Sequence, residues 1–70
     1  MDIFTIEKGD LVQNLRRDSK YLEYGEICYV IAIWLWKGDQ CVNVKSVENK
    51  AMPVSVILEP HEFKLLEKQA

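Results

Sequence analysis

The side chains best able to do covalent or metal chemistry in this 70-residue chain are one histidine and two cysteines. Cys28 and Cys41 lie far apart in sequence and His61 follows Pro60, so their spacing matches no zinc pattern. His61 stands among glutamates, where an exposed turn residue is the simpler interpretation. No set of acid, base and nucleophile is visible, and we therefore predict a non-enzymatic protein without a cofactor or metal. A metal site completed by a second chain stays open.

A second group of side chains suits binding better than catalysis. Residues 15–24 read LRRDSKYLEY, and their basic and aromatic members are Arg16, Arg17, Lys20, Tyr21 and Tyr24. Cations mixed with rings are typical of single-strand nucleic-acid binders, and arginine and tyrosine also dominate protein–protein hot spots. The segment has no strand alternation, and we interpret it as a long loop, either functional or merely solvated.

The third feature is an apolar run, VIAIWLW, at residues 30–36. A strand with one wet face should alternate apolar and polar residues, and this one does not. Strict alternation puts Ile27, Tyr29, Ile31, Ile33 and Leu35 on one face, and Cys28, Val30, Ala32, Trp34 and Trp36 on the other. Two explanations remain open. Either the strand bends and buries opposite parities in turn, or Trp34 and Trp36, with Tyr29 or Tyr24 nearby, form an exposed interface strip.

Composition narrows the classes of function. Apolar residues make up 49% of the chain and the formal net charge is −2, so the composition is globular and lacks the basic balance of a dedicated nucleic-acid binder. The apolar run is far shorter than the roughly 20 residues of a membrane span. No secretory signal pattern follows Met1. We expect a cytoplasmic protein with free thiols and no membrane partner.

Short apolar segments between turn signals predict an all-β domain. The strongest signal is Gly38-Asp39, which suits a two-residue hairpin with a type II′ turn. In that register Lys37 faces Gln40 and Trp34 faces Asn43, and the two cysteines lie too far apart to form a disulfide bond.

Four further segments complete the expected order of elements. Residues 10–13 form a first strand, residues 52–58 a later strand with Val54, Val56 and Leu58 on one face, and residues 59–62 a helical or 3₁₀ turn that starts at Pro60. Residues 63–66 return to pair with the first strand. The alternative is a short helix over residues 60–69, since Phe63, Leu65 and Leu66 also fit helical spacing.

The motifs KGDLVQNL, YGEICYVIAI, CVNVKSV and EPHEFKLL follow one another in this order. This sequence resembles the small SH3-like β-barrels, including KOW-type modules and the short SH3-like proteins of phages and bacteria. The resemblance implies a single domain over residues 1–70, a five-stranded barrel, and binding through loops and one open face. It implies no catalytic residue. The acidic balance and the unbroken apolar strand depart from nucleic-acid-binding KOW modules.

These observations predict a protein-binding module, an accessory or inhibitor protein of the kind that phages and mobile elements encode. Its binding residues are predicted to be Trp34, Trp36, Tyr21, Tyr24, Arg16, Arg17 and Lys20. The partner is another protein or a second copy in a homodimer. The alternative is a nucleic-acid-binding barrel that uses the arginines, Lys20, Lys45 and the tyrosines.

Overall fold

The computed structural model describes residues 6–49 and 51–68, which form a five-stranded antiparallel sheet. The elements are β1 (Leu11–Asn14), β2 (Ile27–Trp36), β3 (Asp39–Ser46), β4 (Val56–Leu58), the 3₁₀ helix η1 (Pro60–Glu62) and β5 (Phe63–Glu67). The strand order is β4-β3-β2-β1-β5, which puts the longest strand in the centre. The all-β class and the 3₁₀ turn are confirmed. The sheet stays open, with β4 and β5 at its edges, so closure into a barrel is not shown.

The central hairpin turns one residue earlier than expected. Trp36 pairs with Asp39, and the two turn residues are Lys37 (φ 54°) and Gly38 (φ 86°). Positive φ at both positions is the type I′ geometry, so the predicted type II′ turn at Gly38-Asp39 was wrong. The predicted register would have turned Cys28 and Val30 away from the face that carries Val42 and Val44. The observed register buries all four together.

A β-bulge at Ile31 changes the face parity within the apolar run. Val30 lies opposite Val44, and Ala32 already lies opposite Asn43, so Ile31 has no partner in the ladder. A bulge adds one residue to a strand and shifts its alternation. Even-numbered residues therefore face the core up to Val30, and odd-numbered residues do so from Ile33 onwards. The change of parity expected from a bent strand is present, and it leaves both tryptophans outside the core.

The remaining strands agree with the expectations in part. β1 begins and ends one residue later than predicted, and residues 15–26 form the expected long loop without regular structure. β5 pairs with β1, so the helix over residues 60–69 was wrong for its described part. The strand predicted for 52–58 is confined to Val56–Leu58, and Val54 lies exposed outside it. Pro53 cannot donate to a ladder, which fits a late start of this strand.

One hydrophobic cluster covers the inner face of the sheet. Its buried members are Ile6, Val12, Leu22, Cys28, Val30, Val42, Val44, Met52 and Leu58. Leu22 comes from the long loop and Met52 from the segment before β4, so both irregular segments fold over this face. Within the described residues, no helix has the length and apolar character that a membrane span requires.

Candidate functional site

The distal half of the hairpin, residues 31–42 and here called the arm, carries the largest exposed apolar side chains of the described chain. Trp34, Leu35 and Trp36 are 55%, 77% and 61% exposed. Trp34 and Trp36 point to the outer face, opposite to the side on which Ile33 packs against the core. Leu35 shares the side of Ile33 but lies beyond the cluster. The arm is therefore apolar on both faces near its tip.

Polar contacts hold the two tryptophan side chains on the outer face. The indole Nε1 of Trp34 donates a hydrogen bond to Oδ1 of Asn43, and Nδ2 of Asn43 donates to Oγ of Ser55 at 2.9 Å. The ammonium group of Lys37 lies 5.7 Å from the centre of a Trp36 ring. Asn43 was expected directly opposite Trp34, but that ladder position belongs to Cys41. The contact with Asn43 is instead diagonal, which long side chains can span.

The outer surface extends across β4, which sequence reasoning missed. Ile57 pairs with Asn43 in the ladder and is exposed, whereas its neighbours Val56 and Leu58 face the core. The only sequence signal was the alternation in β4, which has meaning only when the β3–β4 register is known. Tyr29 lies on the same outer face of β2, before the bulge, opposite Lys45.

The basic and aromatic residues of the long loop come together as predicted, but they contact one another. Nε of Arg16 donates to Oδ1 of Asp18 at 2.8 Å, and this hydrogen bond holds the pKa of Asp18 below its ordinary value. The guanidinium group of Arg17 lies 4.1 Å from the centre of the Tyr24 ring. The ammonium group of Lys20 lies 5.6 Å from the Tyr21 ring. Each predicted basic residue of the loop thus has a partner within it.

Asn14, buried at the end of β1, holds this loop in place. Its side-chain nitrogen donates to the backbone oxygens of Arg16 at 3.0 Å and Glu23 at 2.9 Å, and its Oδ1 accepts from the Arg16 N–H. The backbone N–H of Leu15 also donates to the Glu62 oxygen at 2.8 Å. The loop is therefore attached at both ends to the sheet and to η1.

A groove of about 640 Å³ lies beside the loop. It is lined by Tyr21, Glu23, Tyr24, Gly25, Glu26, Ile27, Val47, Glu48 and Asn49. Both carboxylate oxygens of Glu26 already accept hydrogen bonds, one from the Glu23 N–H at 2.9 Å and the other from the Ser46 hydroxyl. Rings and carboxylates attract cations, but Arg17 and Lys20 already lie over the two tyrosine rings.

The predicted binding residues therefore form two groups. Trp34 and Trp36 lie on the arm, whereas the groove and the loop residues lie at the start of β2, beside Ile27. Nine residue steps from Ile27 to Trp36 span about 30 Å at the rise of a strand. Of the two tyrosines expected near the tryptophan strip, Tyr24 therefore lies away from it, at the groove. Tyr29 is the tyrosine that shares the outer face.

Both thiols are free and buried. Cys28 lies opposite Ser46 and Cys41 opposite Trp34, five ladder steps apart, roughly 17 Å at strand rise. Burial, with the nearby Glu26 carboxylate, raises the pKa of the Cys28 thiol to about 12. Burial also raises the pKa of Cys41. The Cys28 thiol is thereby kept protonated and poorly nucleophilic at neutral pH.

Metal chemistry finds no support in the described residues. His61 is exposed, with Nδ1 at 3.8 Å from a Glu59 carboxylate oxygen. Across residues 6–49 and 51–68, no three histidine, cysteine, aspartate or glutamate side chains are grouped so that they could hold an ion.

Comparison of the chain with protein-family models, with curated proteins and with solved structures finds no match.

Proposed function

We propose that this protein is a non-enzymatic protein-binding module whose arm is the contact surface. The observation that carries the proposal is the exposure of three consecutive large apolar residues, Trp34, Leu35 and Trp36, at one end of a small domain. Leaving such side chains in water forgoes roughly 1.5–3 kcal/mol of burial for each. Exposed apolar patches on small domains are typical of interaction sites, and tryptophan is enriched in hot spots.

The preorganised outer face supports the same proposal. Trp34 is held by Asn43, and a side chain held in one orientation loses less conformational entropy on binding. A module of the SH3-like kind, acting as an accessory or inhibitor protein, would use such an open face. The order of five short antiparallel strands with a 3₁₀ turn before the last one supports this assignment.

Nucleic-acid binding through the loop is the weaker candidate. Arg16 has Asp18 as its partner, Arg17 and Lys20 lie over tyrosine rings, and the adjoining groove carries three glutamates. Phosphate binding needs cations that are available to phosphates, and here carboxylates lie among them.

The test compares immobilised wild-type protein with the double variant Trp34→Ser/Trp36→Ser. Val54→Ser is the matched control, because Val54 is exposed but lies outside the arm. Both tryptophans are more than half exposed, so each substitution should lower the free energy of unfolding by less than about 1 kcal/mol. We expect a protein from the native lysate to bind the wild type and the control at 0.15 and 0.5 M salt, and not the double variant.

Two results would contradict the proposal. One is equal retention of all proteins by the wild type and the double variant. The other is retention of nucleic acid that disappears at high salt and in an Arg17→Ser variant, which would favour the alternative function.

A further inference from the structure

Among the described strands, β4, β5 and the distal part of β2 each have an edge without a partner strand, and the last of these carries no charge and no proline. The edge strand β4 has three residues and follows Pro53 closely. The edge strand β5 carries Lys64 and Glu67. Short length, proline and charge are the usual devices that prevent strands from pairing with other chains. The third stretch is the arm part of β2, residues 31–36, which has no charge, no proline and no glycine.

The backbone groups at this edge point away from the hairpin. The last backbone hydrogen bonds between β2 and the segment before β1 are at Val30, whose N–H donates to the Asp10 oxygen at 3.0 Å and whose oxygen accepts from the Gly9 N–H at 2.8 Å. Beyond Val30 this segment contacts the arm through the Gln40 side chain, whose Oε1 accepts from the Ile6 N–H at 3.2 Å. In a ladder closed by a two-residue turn, the pair next to the turn is hydrogen-bonded and bonding then alternates. Trp36 and Trp34 therefore bond to β3, and the N–H and C=O groups of Ile33 and Leu35 face outwards. None of the described strands pairs with them.

We infer that a second copy of this chain completes the edge by antiparallel pairing of β2 with β2 around a twofold axis. This inference rests on the proposed function and names the partner of the arm. With the axis at Trp34, Ile33 of one copy pairs with Leu35 of the other, and the reverse. Each of these two pairs exchanges two backbone hydrogen bonds. The four outward-facing N–H groups of the two copies thus donate to the four outward-facing C=O groups, and four bonds form.

The side chains are complementary in this register. Trp34 faces Trp34 of the second copy in a non-hydrogen-bonded pair, where side chains approach closely and aromatic pairs are favourable. Trp36 faces Ala32 of the second copy, a small residue that leaves space for the indole. On the other face, Leu35 lies beside Ile33 of the second copy. Every exposed apolar residue of β2 in the arm thus gains an apolar neighbour.

Charge and area are compatible with this pairing. Lys37 of one copy lies opposite Ile31 of the other, so the two Lys37 residues stand six steps apart on each strand, roughly 20 Å, and do not repel strongly. A tryptophan offers up to about 250 Å². Half-exposed Trp34 and Trp36 with Leu35 therefore supply at most on the order of 400 Å² per copy, and the dimer about 800 Å². This area is at the low end of specific interfaces, and we expect micromolar affinity.

The decisive variant is Leu35→Pro. The Leu35 N–H faces the second copy and not β3, and proline is accepted at edge positions of a strand. The substitution removes hydrogen bonds of the dimer and none of the hairpin. Leu35→Val is the matched control because it keeps the N–H. In sedimentation equilibrium between 10 μM and 1 mM, we expect the wild type and Leu35→Val to dimerise. We expect Leu35→Pro to stay monomeric with an unchanged circular-dichroism spectrum.

Three outcomes would overturn the inference. They are a wild type that is monomeric at 1 mM, a dimer that Leu35→Pro leaves intact, and slow hydrogen exchange at the Ile33 and Leu35 amides in dilute monomer. The last would show that another part of the same chain covers the edge. A protein that stays monomeric and yet binds another protein through Trp34 would refute the dimer alone and leave the proposed function standing.

Discussion

Three buried polar residues organise the irregular segments around the sheet. Asn14 holds the long loop, and Ser46 closes the turn after β3 by accepting from the N–H groups of Glu48 at 3.1 Å and Asn49 at 3.0 Å. Asp10 accepts from the Glu7 N–H at 2.8 Å and from the Lys68 ammonium group at 2.8 Å. Buried polar groups that are fully hydrogen-bonded rigidify a fold, and those left without partners destabilise it. These residues therefore set the shape of the loops, whereas the exposed tryptophans belong to the proposed contact surface.

Cys28 should make the protein sensitive to alkali. Its pKa is about 12 in the fold against about 9 for a free thiol, so the unfolded chain ionises first as the pH rises. The free energy of unfolding should be constant below pH 9 with respect to this group and should fall between pH 9 and 12. The slope that one group supplies is at most about 1.4 kcal/mol per pH unit.

Urea unfolding of the wild type and Cys28→Ser at several pH values measures this effect. Serine keeps a small polar side chain that does not ionise in this range, so the variant should show a smaller slope whatever its stability at pH 7. Equal slopes would assign the alkaline loss to other groups.

At the scale of elements, the type I′ turn contains a mismatch between residue and backbone. Lys37 adopts φ 54°, a left-handed conformation that costs an L-residue about 1 kcal/mol, while asparagine tolerates it well. Lys37→Asn should therefore raise the free energy of unfolding by about 0.5–1 kcal/mol. Gly38→Val should lower it by at least about 1 kcal/mol. Chemical denaturation of both variants measures these changes, and destabilisation by Lys37→Asn would be incompatible with the turn described.

The hairpin illustrates what the sequence could and could not predict. A glycine between two β-type runs located the turn, since Gly38 takes positive φ in either turn type. The register depended on whether Lys37 or Asp39 is the second turn residue beside Gly38. Lysine is uncommon in a left-handed conformation, so the sequence favoured Asp39. The bulge at Ile31 has no local signal in an all-apolar run. For the same reason, the sequence allowed Trp34 and Trp36 to be either exposed or buried and could not decide between the two.

At the scale of the whole molecule, an ion pair joins the two ends of the described chain. Lys68 follows β5 and contacts buried Asp10 at 2.8 Å and exposed Glu7 at 3.5 Å. The hydrogen bond with Asp10 raises the pKa of Lys68, so its contribution is complete below the ordinary lysine value and is lost as the pH rises through the shifted one.

Lys68→Met should lower the melting temperature at pH 7, because it takes a cation away from a carboxylate with no exposure to water. Glu7→Gln is the control, since its carboxylate is half exposed and should matter little. Scanning calorimetry of both variants tests this. Equal melting temperatures of wild type and Lys68→Met would contradict a structural role for the pair.

The bulge also bears on how β2 can change during evolution. Without Ile31 the strand reads C-Y-V-A-I-W-L-W, and its residues alternate regularly between the core and the outer face that each now occupies. The seven-residue apolar run is thus a strand that alternates between core and outer face, with one inserted codon and with apolar residues on both faces. Loss of that codon would keep every other side chain of β2 on its present face. Insertion or loss of a codon between Ala32 and Trp36 would instead exchange core and surface for part of the arm, so length variation among descendants of this chain should concentrate at position 31.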